Sequence, residues 1–292
     1  MYVTSPALTF VQLAATLELV DVVAVGMALC SAYRLDDTAR GGAAHREGDD
    51  APFTSVEKLR SFVDAAKGMP GVSRARQALP YVCDGSRSPV ESGLAMAVGM
   101  PARYGGFALG KVTMNPQVII NDDVDAAGLQ RVGERYPDII VTAVSRGTER
   151  RAALDYDADS THGGARRRER DQARRNEFQT LRGLPHFALT SLQAGEFGAV
   201  CKVFDQMRRM LGRRAARCGA GLGAGGDDAW PEGWCGGNPA ASDRELLEGS
   251  MRHRRVRLWL RYIAGPTRAV GTERWRRAVF DGGKPQGRDP GD

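Results

Sequence analysis

Apolar positions recur at helical spacing through the first third of the chain. Phe10, Leu13, Ala14 and Leu17 form one stripe. Thr54-Ser-Val-Glu-Lys-Leu-Arg-Ser-Phe62 opens a second amphipathic helix, and Val72 to about Cys83 carries a third, with Ala75, Leu79 and Val82 on its apolar side. Met1 to Pro6 reads as a strand end and turn, and the charged, Gly-rich stretch from about Leu35 to Ala51 as a loop. The segment 1–85 is therefore expected to be mainly helical, and to be an incomplete domain.

The pattern changes at Ser86. One helix is followed by short apolar runs at Val118–Ile120, Ile139–Val141 and Ala152–Leu154, then by a charged helix over 165–182 and a further run at Phe187–Leu189. A closing helix over 195–211 places Phe197, Val200, Phe204, Met207 and Leu211 on one face. Short runs alternating with helices predict an α/β or α+β domain over 86–212, a small mixed sheet flanked by helices. Beyond Gly212 the periodicity lapses. Residues 213–292 hold 15 glycines, 14 arginines against one lysine, and all four tryptophans. That composition reads as an irregular, disordered basic extension, or as the out-of-frame product of a GC-rich coding sequence.

Charge changes this picture little. The formal net charge is +6, but 213–292 carries 15 basic and 10 acidic residues, so the remainder is close to neutral. The five cysteines, Cys30, Cys83, Cys201, Cys218 and Cys235, form no CxxC pair, which fits a reduced, cytoplasmic setting. Glu18 and Asp21 interrupt the N-terminal apolar stretch well short of the ~20 residues a membrane span needs, so neither membrane insertion nor secretion is expected. Gly219 to Gly226 has no preceding strand and no Lys-Ser/Thr ending, which removes it as a phosphate loop.

The candidate chemistry is acidic. In Arg135-Tyr-Pro-Asp138 the proline forces an extended start, so Asp138 is expected at the mouth of the strand beginning at Ile139. In Leu154-Asp-Tyr-Asp157, residues two apart on a strand share a face, so Asp155 and Asp157 should project together. Two such carboxylates repel unless a cation or base lies between them, and carboxylate oxygens suit a hard ion such as Mg²⁺. His162 follows five residues later, as a general acid or base, a phosphate contact, or a plain surface residue. Asp138 also reads as a turn residue. Glu91 reads first as the partner of a capping box, with Ser88 as N-cap and Pro89 at N1, and second as part of the site. The helix over 165–182 sets seven arginines against Glu169, Asp171 and Glu177. It is either a solvated face laced with ion pairs or a phosphate-contacting surface using Arg167, Arg170, Arg174 and Arg175.

Ser88-Pro-Val-Glu91, Tyr136-Pro-Asp138, Leu154-Asp-Tyr-Asp157, His162 and Arg170-Asp-Gln-Ala-Arg-Arg-Asn176, in that order, resemble the signature of an uncharacterised bacterial family. That family is related to the very-short-patch repair (Vsr) endonucleases of the PD-(D/E)xK type. The resemblance covers about residues 86–212. Tyr2-Val-Thr-Ser-Pro6 and the stretch from Ala66 to Ala78 are similar to the helical region preceding this domain in some members, which look like AbiEi-type antitoxin regulators. It implies a restriction-endonuclease-like fold and Mg²⁺-dependent hydrolysis of DNA, with Asp138, Asp155 and Asp157 as metal ligands and His162 and Glu91 assisting. It implies DNA as the partner and no small-molecule cofactor beyond the metal. Asp171 and Arg174 are expected to buttress the site. Asp155 stands where members carry Glu, and Asp157 stands where a standard motif ends in Lys. The alternative is a catalytically decayed, antitoxin-like nucleic-acid-binding regulator.

Overall fold

In the computed structural model the residues described are 4–36, 39, 43–46, 51–124, 130–157, 184–214 and 251–264. Helix α1 (Pro6–Ala14) begins at Pro6 because the Ser5 Oγ accepts the Leu8 N–H at 3.2 Å and proline is preorganised for the first helical position. Of the expected stripe, α1 carries Phe10, Leu13 and Ala14, with Phe10 and Ala14 buried and Leu13 exposed, while Leu17 lies in the turn before α2 (Leu19–Leu29). The stretch expected as a loop contributes a short antiparallel pair, β1 (Tyr33–Leu35) and β2 (Ala43–His45). Helix α3 (Val56–Ala65) is capped by Ser55, and α4 (Val72–Ala78) continues into a 3₁₀ turn at Leu79–Tyr81. Gly71 precedes α4 at φ +89°, and a Cβ there would lie 2.2 Å from the Val11 carbonyl, so glycine lets α4 approach α1.

The fold is α+β. Helix α5 (Pro89–Gly99) is its hub, with every residue from Val90 to Val98 buried. It packs against α2, against β3 (Lys111–Met114) and against β6 (Ile139–Ser145). These two strands join β7 (Thr148–Asp157) and β8 (His186–Thr190) in a sheet of order β3-β6-β7-β8. The β3/β6 and β6/β7 pairs are antiparallel and β7/β8 is parallel. A separate antiparallel hairpin, β4 (Val118–Val124) with β5 (Gln130–Arg135), lies between β3 and β6 in sequence. The short helix α6 (Ser191–Ala194) is held by a complete capping box from Thr190 and Gln193. It leads into α7 (Phe197–Met210), whose Phe197, Val200, Phe204 and Met207 are buried, with Leu211 beyond it, as the sequence periodicity requires.

Register divides the sheet into two faces. Ile139 pairs with Leu154 and Val141 with Ala152, and these four belong to the main core beneath the helices. Ile140 pairs with Ala153 on the opposite face, where among the described residues Leu184 joins them as a buried residue and Val118 packs alongside. Each fully buried leucine, isoleucine or phenylalanine contributes about 1.5–3 kcal/mol, so among the described residues the helix-covered face carries most of the apolar stabilisation.

Within the stretch read as an irregular tail over 213–292, one segment is regular. Residues Met251–Trp259 form α8, and Leu260–Ala264 a π turn, both packed on α5. Leu258, Trp259, Tyr262 and Ile263 are buried, and the Trp259 indole donates to the Ala194 carbonyl at 2.9 Å. Five arginines among these residues dilute the apolar signal, so periodicity could not find this helix. Residues 215–250 and 265–292 lie outside the described residues.

Candidate active site

Two prolines set the geometry at one end of the sheet's open face. Pro137 delivers Asp138 immediately before β6, as the sequence predicts, and Pro185 delivers His186 as the first residue of β8. Asp155 lies on β7, one step beyond the Leu154–Ile139 pair, which sets it opposite Asp138. On the parallel side Asp155 is level with Ala188, and Asp157 with Thr190.

The two aspartates hold each other's backbone. Asp155 Oδ1 accepts the Asp138 N–H at 3.0 Å, and Asp138 Oδ2 accepts the Tyr156 N–H at 2.7 Å. Asp155 Oδ2 meets His186 Nε2 at 2.9 Å, with the histidine side chain 3% and the aspartate side chain 13% exposed. Such reciprocal bonds lock both carboxylates in fixed orientation and satisfy N–H groups at the ends of the β6/β7 ladder. They also offset much of the cost of setting two carboxylates side by side.

Glu91 joins the same network through Asn115. The Asn115 N–H donates to the Asp138 carbonyl at 2.8 Å, and its side-chain amide donates to the Gly85 carbonyl at 3.0 Å and to Glu91 Oε2 at 3.4 Å. Asn115 follows β3 at φ +44°, a left-handed conformation that asparagine tolerates better than most residues. Glu91 itself caps α5: its N–H reaches Ser88 Oγ, its Oε1 accepts the Ser88 hydroxyl at 3.0 Å, and its Oε2 accepts the Arg87 N–H at 2.9 Å. Burial pushes its carboxyl above the usual range, against the hydrogen bonds from Arg87, Ser88 and Asn115 and the Arg87 charge. Glu91 thus caps α5, the first of its two readings, and also accepts a long bond from the Asn115 amide.

No protein-family model, no curated protein and no solved structure matches this chain.

Glu91, Asp138 and Asp155 therefore lie on one hydrogen-bonded chain running from α5 to β8. Asp157 projects on the same face of β7, half-buried, two residues further along. Among the described residues, no group of three or more His, Cys, Asp or Glu side chains is disposed to hold a metal ion. His162 and the helix expected over 165–182, with Arg167, Arg170, Asp171, Arg174 and Arg175, lie outside the described residues. Sequence reasoning missed His186 and Asn115. The signal for His186 was present in Leu184-Pro-His186, the same proline-led opening of a strand that identified Asp138. A trough of about 780 Å³ lies near the other end of β7, between Arg151 and the Val118–Ile119 segment of β4, with Leu184 and Pro185 in its wall. Among the described residues no helix is long and apolar enough to cross a membrane.

Proposed function

We propose that this chain is a restriction-endonuclease-like protein acting on DNA, with Asp138 and Asp155 as the acidic centre of metal-dependent phosphodiester hydrolysis. The observation that carries the reading is the reciprocal Asp138–Asp155 pairing at the mouth of β6 and β7. The reading is also supported by the placement of Glu91 on α5, Asp138 before β6 and Asp155 on β7, since the Vsr-like resemblance implies a glutamate on an early helix, an aspartate opening a strand and an acidic-x-Asp strand. The donor set suits Mg²⁺, which commonly binds through one or two carboxylates and completes its shell with waters and substrate phosphate. Such an ion polarises a phosphoryl oxygen and lowers the pKa of bound water. The protein's part is to fix the carboxylates, with His186 orienting Asp155 and Asn115 linking Glu91 to the Asp138 backbone. Asp157 extends the acidic surface toward the end of β7.

A second reading is supported by one observation. Both Asp155 oxygens already accept bonds from inside the protein, from Asp138 and His186, as in an acidic pair retained for structure. On that reading the fold is a scaffold for a nucleic-acid-binding regulator, with salt-sensitive affinity and no metal requirement. Calorimetric titration of Mn²⁺ into the protein with a short DNA duplex separates the two. Saturable binding that disappears in Asp155→Asn supports the nuclease reading, and duplex binding indifferent to Mn²⁺ supports the regulator.

A further inference from the structure

We propose that a second cavity, lying between the start of α2 and the segment 254–262, is a binding pocket for a small molecule carrying a phosphate monoester. The cavity measures about 360 Å³, within the range of small-molecule sites. Its lining includes Arg74, Arg103, Arg254, Arg257 and Arg261, converging from α4, from the 3₁₀ turn at Ala102–Tyr104 and from the C-terminal helix. Glu18 and Asp21 supply the opposing charge there. Among the described residues, five guanidinium groups facing two carboxylates leave an excess of positive charge in a concave site, which favours an anion there.

The arginines are positioned by contacts, and among the described residues Arg74 and Arg261 keep forked donors to spare. Arg74 donates to the Leu17 carbonyl at 2.5 Å, Arg254 to the Arg103 carbonyl at 2.9 Å, and Arg261 pairs with Asp21 at 2.8 Å. A guanidinium has five N–H donors, so one or two such bonds do not exhaust it. The Arg261 Nε is buried and takes no hydrogen-bond partner among the described residues. Arg257 is 57% exposed and only loosely paired with Glu18 at 3.5 Å, and Arg103 lies over the Tyr104 ring at 4.8 Å. Planar guanidinium forks match phosphate oxygens two at a time, and a dianionic monoester balances the charge better than a carboxylate. Leu19, Leu258 and Tyr104 supply an apolar wall for the organic part of the ligand. A concave site of this size favours a small ester over an extended nucleic-acid backbone. The inference is independent of the acidic centre, so its failure leaves the nuclease reading untouched.

Calorimetric titration of the full chain with adenosine monophosphate, ribose 5-phosphate, inorganic phosphate, adenosine and an oligonucleotide without terminal phosphate tests the proposal. At least one of the two organic esters should bind and adenosine should not. The Arg103→Gln/Arg257→Gln double variant, altered at two exposed positions, should bind the ester at least about tenfold more weakly with unchanged thermal stability. Glu18→Gln should bind it more tightly, and this decides the matter if the double variant does not fold. Binding of neither ester, undiminished binding in the folded double variant, or binding of the oligonucleotide alone overturns the proposal.

Discussion

The two faces of the four-stranded sheet are built by different physics. The helix-covered face is apolar and continuous, with Ile139, Val141, Ala152 and Leu154 joining α5, α7 and α8 in one core. Among the described residues the other face has three buried apolar residues, Ile140, Ala153 and Leu184, and then polar contacts linking Asp138, Asp155 and His186, tied through Asn115 to Glu91 on α5. The first face is held by non-directional burial, where volume matters most. The second is held by hydrogen bonds, where a single oxygen decides the geometry. A fold that places its packing on one face is free to use the other for chemistry.

Breaking the apolar face should have the largest effect. Phe204→Ala and Trp259→Ala remove side chains that are 0% and 1% exposed, and each should cost about 3–5 kcal/mol in chemical denaturation. Trp259→Ala also tests whether residues 251–264 belong to the fold, since an undocked segment would leave stability unchanged. Gly93→Ala should follow. A Cβ there would lie 2.1 Å from the Tyr262 carbonyl, so α5 and the π turn must separate, at a cost of about 1–3 kcal/mol. A cost near zero would mean that the C-terminal segment packs elsewhere.

The open face should respond less in stability and more in specificity. Asp155→Ala strips the Asp138 N–H of a carboxylate acceptor and leaves His186 without its carboxylate, for about 1–3 kcal/mol. A smaller loss than from Gly93→Ala is not required, but a loss as large as Phe204→Ala would contradict the division between faces. The smallest effect concerns pH. Burial raises the Glu91 carboxyl above its unfolded value, so the folded state holds the proton more tightly. The stabilisation this gives is fully present below the ordinary carboxylate range and is lost as the pH rises toward the raised folded value. Glu91→Gln should flatten that decline, measured by thermal melts from acid to neutral pH, and an identical slope in both proteins would contradict it.

The contrast between faces also explains what the chain reveals unaided. Phe197, Val200, Phe204, Met207 and Leu211 announce α7 because burial repeats with the helical period. Asp138 was legible because Pro137 fixes how the strand opens, and Asp155 because a carboxylate inside an apolar run is conspicuous. Asn115 was not legible, since its role depends on a left-handed backbone and on partners 24 residues away at Glu91 and 30 away at Gly85. His186 was hidden by distance, 31 residues from Asp155. Trp259 and Ile263 escaped notice because arginines lining a pocket beside α8 and the π turn mask the apolar residues those elements bury.

Cleavage of supercoiled plasmid is the most direct test of the acidic centre. The purified chain with Mg²⁺ should nick the plasmid, chelation should stop the reaction, and Asp138→Ala and Asp155→Asn, folded by circular dichroism, should abolish it. Nicking that survives both substitutions, or no nicking by the intact protein with Mg²⁺ or Mn²⁺, would contradict the assignment.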